Sequence, residues 1–230
     1  MNIENGGEMN ESQKKRLGSL LEEKIESYSG CMQFPIKGEL WEEISVRALE
    51  AAGMLVEWDA GSHSSGADIW LSGLNEGISS KSGKITRTKT TGKHELSISS
   101  YRTTKYETLL EKLDFFDGPG KNFKNYLLLS REEDEKNKIR NYRCVLIDAD
   151  KVTAGHLTWA QKFGRTGKMT GWAGENKKLG IRMLIQKAMS DQFWIYLDLN
   201  KFDGAEVLAE VSIPYEKLAK THSMIRNTSA

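Results

Sequence analysis

The hydrophobic pattern changes its period partway along the chain, and that change limits the fold more than any other feature of the sequence. Leu17, Leu20, Leu21 and Ile25 recur at helical spacing over 10–28, with Asn10 or Ser12 as a cap. Leu40, Trp41, Ile44, Ala48 and Ala51 form a second stripe over 38–52, and Gly53 stops it. From there four short runs, 54–58, 68–71, 77–85 and 94–100, follow one another between Gly/Ser turns, a pattern that predicts successive strands. A helix pattern returns through Tyr106, Leu109, Leu110 and Leu113 and ends near Asp117-Gly118-Pro119-Gly120. Apolar runs at 126–130 and 142–147 suit a sheet covered on both faces, and the charged stretch 131–140 between them reads as a solvated loop or helix. Late strands are predicted at 193–199 and 207–213, with helix signals at 156–163 and 179–188. The order helix, helix, strands, helix, strands predicts an α/β or α+β fold, a central mixed β-sheet flanked by helices.

At 230 residues the chain suits a single domain over 1–230, with 1–12 as a flexible tail. Its 38% hydrophobic and 28% charged residues exclude wholesale disorder. A net charge of +1 means that a polyanionic partner would have to be met by a local basic face. Cys31 and Cys144 belong to no Cys/His cluster, which argues against a zinc site and a disulfide scaffold. The polar stretch 1–13 and the lack of a run of about 20 apolar residues predict a cytoplasmic protein with no membrane partner.

The segment 61–85 has the chemistry that phosphodiester cleavage requires, namely oxygen ligands for a hard cation and a positive group to help orient hydroxide. In Gly61-Ser62-His63-Ser64-Ser65-Gly66-Ala67-Asp68-Ile69-Trp70-Leu71, a Gly/Ser turn delivers Asp68 to the start of a strand. The next run is Gly77-Ile78-Ser79-Ser80-Lys81-Ser82-Gly83-Lys84, where alternation puts Ser79 and Lys81 on one face and Ser80 on the other. A short hairpin, 72–76, holds Asp68 and Lys81 beside one another. The glycines of this run do not make a phosphate loop: five residues separate them where four are needed, and Ile85 stands where Ser or Thr should hold magnesium. No nucleotide cofactor is expected.

An Asp opening one strand, a Ser-x-Lys in place of (acid)-x-Lys on the next and a preceding helix bearing glutamates resemble the core of the PD-(D/E)XK nucleases. The wording Gly-Ser-His-Ser-Ser-Gly-Ala-Asp-Ile followed by Ser-x-Lys resembles type II restriction endonucleases in particular, over roughly residues 38–105. The resemblance implies a restriction-endonuclease-like fold, Mg²⁺ as cofactor, double-stranded DNA as substrate and a homodimer, with Asp68 as a metal ligand and Lys81 positioning the attacking water. Ala67 replaces the family's frequent Pro, and Ser79 replaces its second acid. Relatives with such Ser-x-Lys cores take the missing carboxylate from a neighbouring element. Glu43 is the first candidate, since it lies nearer the Leu40/Ile44/Ala48 stripe than Glu39 or Glu42 does. Glu95 is the second, beside Ser79 if their strands pair, and a backbone carbonyl near Ser80 completes the expected metal set.

Two segments are basic against the neutral average: 81–105 has seven Lys/Arg against Glu95 alone, and 162–187 has seven against Glu175 alone. Such asymmetry suits a phosphate-facing surface. The candidate DNA contacts are His63, Ser82, Lys84, Arg87, Tyr101, Arg102 and Lys105, with Arg165 and Lys168 in a glycine-rich DNA-contacting loop, 164–180. Site-specific cleavage of duplex DNA is the reading expected; the alternatives are a structure-specific repair or recombination nuclease and a non-catalytic DNA-binding module on a nuclease fold.

Overall fold

The computed structural model describes residues 8–58, 66–87 and 94–218. Among them are three helices, α1 (Glu11–Cys31), α2 (Gly38–Ala51) and α3 (Leu109–Asp117). The strands are β1 (Val56–Trp58), β2 (Ile69–Leu71), β3 (Glu76–Arg87), β4 (His94–Arg102), β5 (Asn125–Asp134), β6 (Ile139–Asp148), β7 (Thr158–Phe163), β8 (Met169–Asn176), β9 (Ile181–Gln186), β10 (Gln192–Leu197) and β11 (Ala205–Pro214). The fold is α+β with one large mixed sheet, in the order β11-β6-β5-β3-β4-β10-β9-β8-β7, with β2 added to β3 and β1 to β2. The β3–β5 pair is parallel, Ile78 opposite Asn125 and Lys84 opposite Arg131, and the other pairs are antiparallel.

Each face of the sheet has its own core. On one, α1 and α2 cover Leu127, Leu129, Cys144 and Val211, and the Trp41 indole donates to the Leu127 carbonyl at 3.2 Å. On the other, Tyr126, Leu128 and Val145 share a core with Phe193 and Ile195 of β10 and Phe116 of α3. α3 lies against this face, where Phe116 stacks on Phe193 of β10 with ring centroids 4.7 Å apart.

Several expectations give way here. The ordered chain begins earlier than a tail over 1–12 allows: Asn10 and Gln13 close a capping box on α1 and Met9 is buried, while 1–7 lie outside the described residues. The charged stretch 131–140 is the far end of the β5–β6 hairpin, held by cross-strand pairs such as Glu133 with Arg140. Residues 156–163 and 179–188 contain β7 and β9 where helices were expected. In β9 the buried residues Ile181, Met183 and Ile185 alternate, and a run this short has too few turns to separate a period of two from 3.6. The loop expected over 164–180 contains strand β8 with a turn on either side, 164–168, closed by Gly164 N donating to the Lys168 carbonyl at 2.8 Å, and 177–180.

Candidate active site

β3 is long enough to change partners along one edge. Its first residues pair with β2, Ile69 opposite Ile78, and its last pair with β4, Lys84 opposite Ser97. Between them, 79–83 sit in a fork where β2 and β4 separate. Asp68 enters this fork just before β2, its N–H donating to the Ile78 carbonyl at 2.9 Å. Its carboxylate Oδ2 accepts from Lys81 Nζ at 2.6 Å and from Ser79 Oγ at 3.0 Å. The two donors are two apart on a strand and so share a face, as alternation requires. Lys81 and Asp68 are each part-buried, so their charges are less screened than those of a surface pair.

The acid that α2 brings near this pair is Glu42, not Glu43. Burial raises the Glu42 carboxyl above the usual value and the Asp68 charge pushes it further, while the hydrogen bond from Trp58 and then the Lys81 charge partly offset them. The Trp58 indole fixes it, donating to Oε1 at 2.5 Å. Glu43 is exposed, on the same outer row as Arg47 and Glu50. The missed signal was Ser45 and Val46, both buried: three and four residues after Glu42, they extend the inward stripe to its side of the helix.

Glu95 is also displaced from the expected place. It pairs with Thr86, seven residues along β3 from Ser79 and so about 23 Å away, and it accepts from Arg182 Nη2 at 2.7 Å. Ser80 turns its hydroxyl to Ser45 on α2, 3.4 Å away and on the face opposite Lys81, so only its main chain remains for the site. Ser82 shares that opposite face, where its hydroxyl accepts from Gly38 N at 2.9 Å, and Lys84 lies exposed beyond it. Tyr101 is no surface contact. Its ring packs edge-on to Phe115 and Phe116, and its hydroxyl is buried, as are those of Ser100 and Tyr126. Burial and the Asp68 charge raise its phenol well above the ordinary value. His63 and the Arg87 side chain lie outside the described residues.

Register brings the basic segments together. Extending the β3–β4 pairing sets Arg102 level with Ser79. From there Arg102 pairs with Gln192, Gln192 with Gln186, Gln186 with Gly171 and Gly171 with Lys162. Arg102, Lys105, Lys162, Arg165, Lys168 and Lys187, all exposed, therefore occupy the end of the sheet that contains the fork. Lys177 and Lys178, in the turn after β8, lie at the other end. Lys112 supports the junction between Arg102 and α3: it is fully buried, with Nζ donating to the carbonyls of Thr103 and Tyr106 and 3.1 Å from Asp191 Oδ2.

No cluster of three or more Asp, Glu, His or Cys suited to a metal occurs among the described residues. Magnesium does not require one, since it commonly keeps several waters and takes one or two carboxylates together with substrate phosphate. Asp68 and Glu42, whose mutual repulsion a cation would relieve, fit that donor set. No family model, curated protein or solved structure matches the chain.

Proposed function

We propose that this protein is a magnesium-dependent endonuclease that hydrolyses double-stranded DNA at specific sites, with a restriction-endonuclease-like fold and a homodimeric assembly of the kind the PD-(D/E)XK resemblance implies. The observation that carries the reading is the contact of Lys81 Nζ with Asp68 Oδ2 at 2.6 Å in the fork of β3, with Glu42 electrostatically coupled to both. Mg²⁺ would supply Lewis-acid charge beside the scissile phosphate. Asp68 and Glu42 are the side chains to hold it, and Ser79, though no substitute for a carboxylate as a ligand, fixes the Asp68 carboxylate by its hydrogen bond. Lys81 has three donors, of which Asp68 occupies one, and the others can orient a water toward phosphorus. The basic row from Arg102 to the turn 164–168 extends about 24 Å across the strands from the fork, a length of about seven base pairs.

Incubation with magnesium and a phage genome should give discrete fragments. Asp68→Ala and Lys81→Ala proteins should bind the same DNA and leave it intact, and full cutting by both would end the assignment. Ser79 at the second acid position favours one other reading, a DNA-binding module without catalysis, for which salt-sensitive binding would persist with no magnesium-dependent cutting by the unaltered protein.

A further inference from the structure

On the face of β3 opposite Lys81, α2 begins without a side-chain cap. Lys37 at the N-cap makes no capping hydrogen bond, and Gly38 N donates to Ser82 Oγ. The positive end of a helix does not define a site by itself, but an independent feature adjoins it. Arg131 of β5 is only 8% exposed, and its Nε and Nη1 are buried without a hydrogen-bond partner among the described residues. Glu133 Oε1 lies 3.4 Å from Nε but does not hydrogen-bond to it, and that carboxylate accepts instead from Arg140 Nε at 3.0 and 3.1 Å and from the Tyr215 hydroxyl at 3.1 Å. Leaving a buried charged donor unmet is costly. Arg131 lines a cavity of about 160 Å³ with Ile36, Lys37, Ser82, Gly83 and Lys84. Neither Lys37 nor Lys84 has an ion-pair partner among the described residues.

We propose that this cavity binds a tetrahedral phosphate-class oxyanion, at a site distinct from the Asp68–Lys81 fork. The polar side chains that line it can all donate. Arg131 lines the cavity and brings a buried guanidinium to it, Lys37 and Lys84 add two charges, and Ser82, having accepted from Gly38, keeps its proton to donate. Register sets Lys84 directly opposite Arg131, which brings both to one face and one end of the cavity. A cavity of about 160 Å³ has room for the five heavy atoms of phosphate. Such chemistry disfavours metal cations, and is shared by free phosphate and by a phosphate group of a nucleic acid. The site does not depend on the nuclease reading, because Ser82 and Lys84 face away from Lys81.

The test is thermal unfolding of the full chain, without magnesium, titrated with inorganic phosphate and, separately, with sodium chloride at matched ionic strength. Phosphate should raise Tm saturably where chloride does not. In the Lys37→Gln/Lys84→Gln protein, altered only at exposed positions, half-saturation should need about tenfold more phosphate. Asp68→Ala should respond as the unaltered protein does, which keeps this site separable from the cleavage site. Repeating the titration with a DNA duplex present identifies the source: competition assigns a nucleic-acid phosphate, and an unaltered phosphate curve assigns free phosphate. An equal rise with chloride, or a phosphate response that the lysine pair leaves unchanged, overturns the proposal.

Discussion

At the scale of single residues, the candidate site depends on which of two adjacent glutamates faces the fork. Glu42 is held by Trp58 and feels the charges of Asp68 and Lys81, whereas Glu43 projects into solvent. Glu42→Gln should therefore lower the rate of DNA cleavage by about 10²-fold or more, in line with the loss of one preorganised charged group, while Glu43→Gln should cut normally. Cleavage kinetics on one supercoiled plasmid compare the two. Glu76 allows an independent check on electrostatics away from the site. Its carboxyl is raised by burial and then by the Glu8 charge, with Lys124 partly offsetting them, and its Oε2 is buried without a hydrogen-bond partner among the described residues. A raised folded-state value means the neutral form is favoured by folding, so stability is present below the unfolded value and is lost as pH rises through the folded one. Glu76→Gln mimics the neutral form. It should raise Tm near pH 7, and the gain should vanish near pH 3, where the native side chain is protonated in both states; a gain that persists in acid would refer it to packing. Asp68 and Lys81 were legible because period-two alternation and a short hairpin are local geometry. Glu42 was not, because its side of α2 is set by Ser45 and Val46, a serine and a valine that a hydrophobic stripe drawn through Leu40, Ile44 and Ala48 passes over.

At the scale of elements, close approach decides where α1 can sit. A Cβ on Gly18 would fall 2.2 Å from the Leu208 carbonyl oxygen, which is main chain and cannot step aside, so this glycine sets the distance between α1 and β11. Gly18→Ala should cost about 1–3 kcal/mol, read as a lower urea midpoint at unchanged slope. The elements that the sequence resolved are those with a long period or a strong stop: α1 with its Asn10 cap, α2 before Gly53, and α3, whose Thr108–Glu111 capping box explains its start. What it did not resolve has a physical cause in each case. β7 and β9 are too short to display a period, and β9 is buried at Leu184 as well as at the alternating positions, which blurs the signal further. The 131–140 hairpin disguises itself because its inward partners are ions: Arg131 and Arg140 are buried beside Glu133, so charge there marks burial where it usually marks solvent. Strand order was beyond local pattern altogether, since the parallel β3–β5 pair and the β4–β10 pair join segments whose partners lie far along the chain.

At the scale of the whole molecule, a net charge of +1 gives no general attraction to a polyanion, so any DNA binding must come from where the charges are placed. Two basic segments far apart in sequence contribute to one end of the sheet through the register β3-β4-β10-β9-β8-β7, and the fork holding Asp68 and Lys81 lies at that end. The same segments also contain lysines that register sends elsewhere, Lys177 and Lys178 in the turn between β8 and β9. This separates two ideas that composition cannot, a generally basic segment and a basic end. If DNA lies along the fork end, the slope of log affinity against log salt should shrink by about 0.9 for each phosphate that the protein ceases to neutralise, so Arg165→Gln/Lys168→Gln should lower it by nearly two. Lys177→Gln/Lys178→Gln removes the same charge from the same stretch and should leave the slope as it was. Fluorescence anisotropy of a labelled duplex over a salt series, in calcium or without metal so that no cutting intervenes, compares the pairs directly. An equal fall in slope for both pairs would mean that the duplex responds to net charge alone, and the alignment of DNA with the fork would have to be given up.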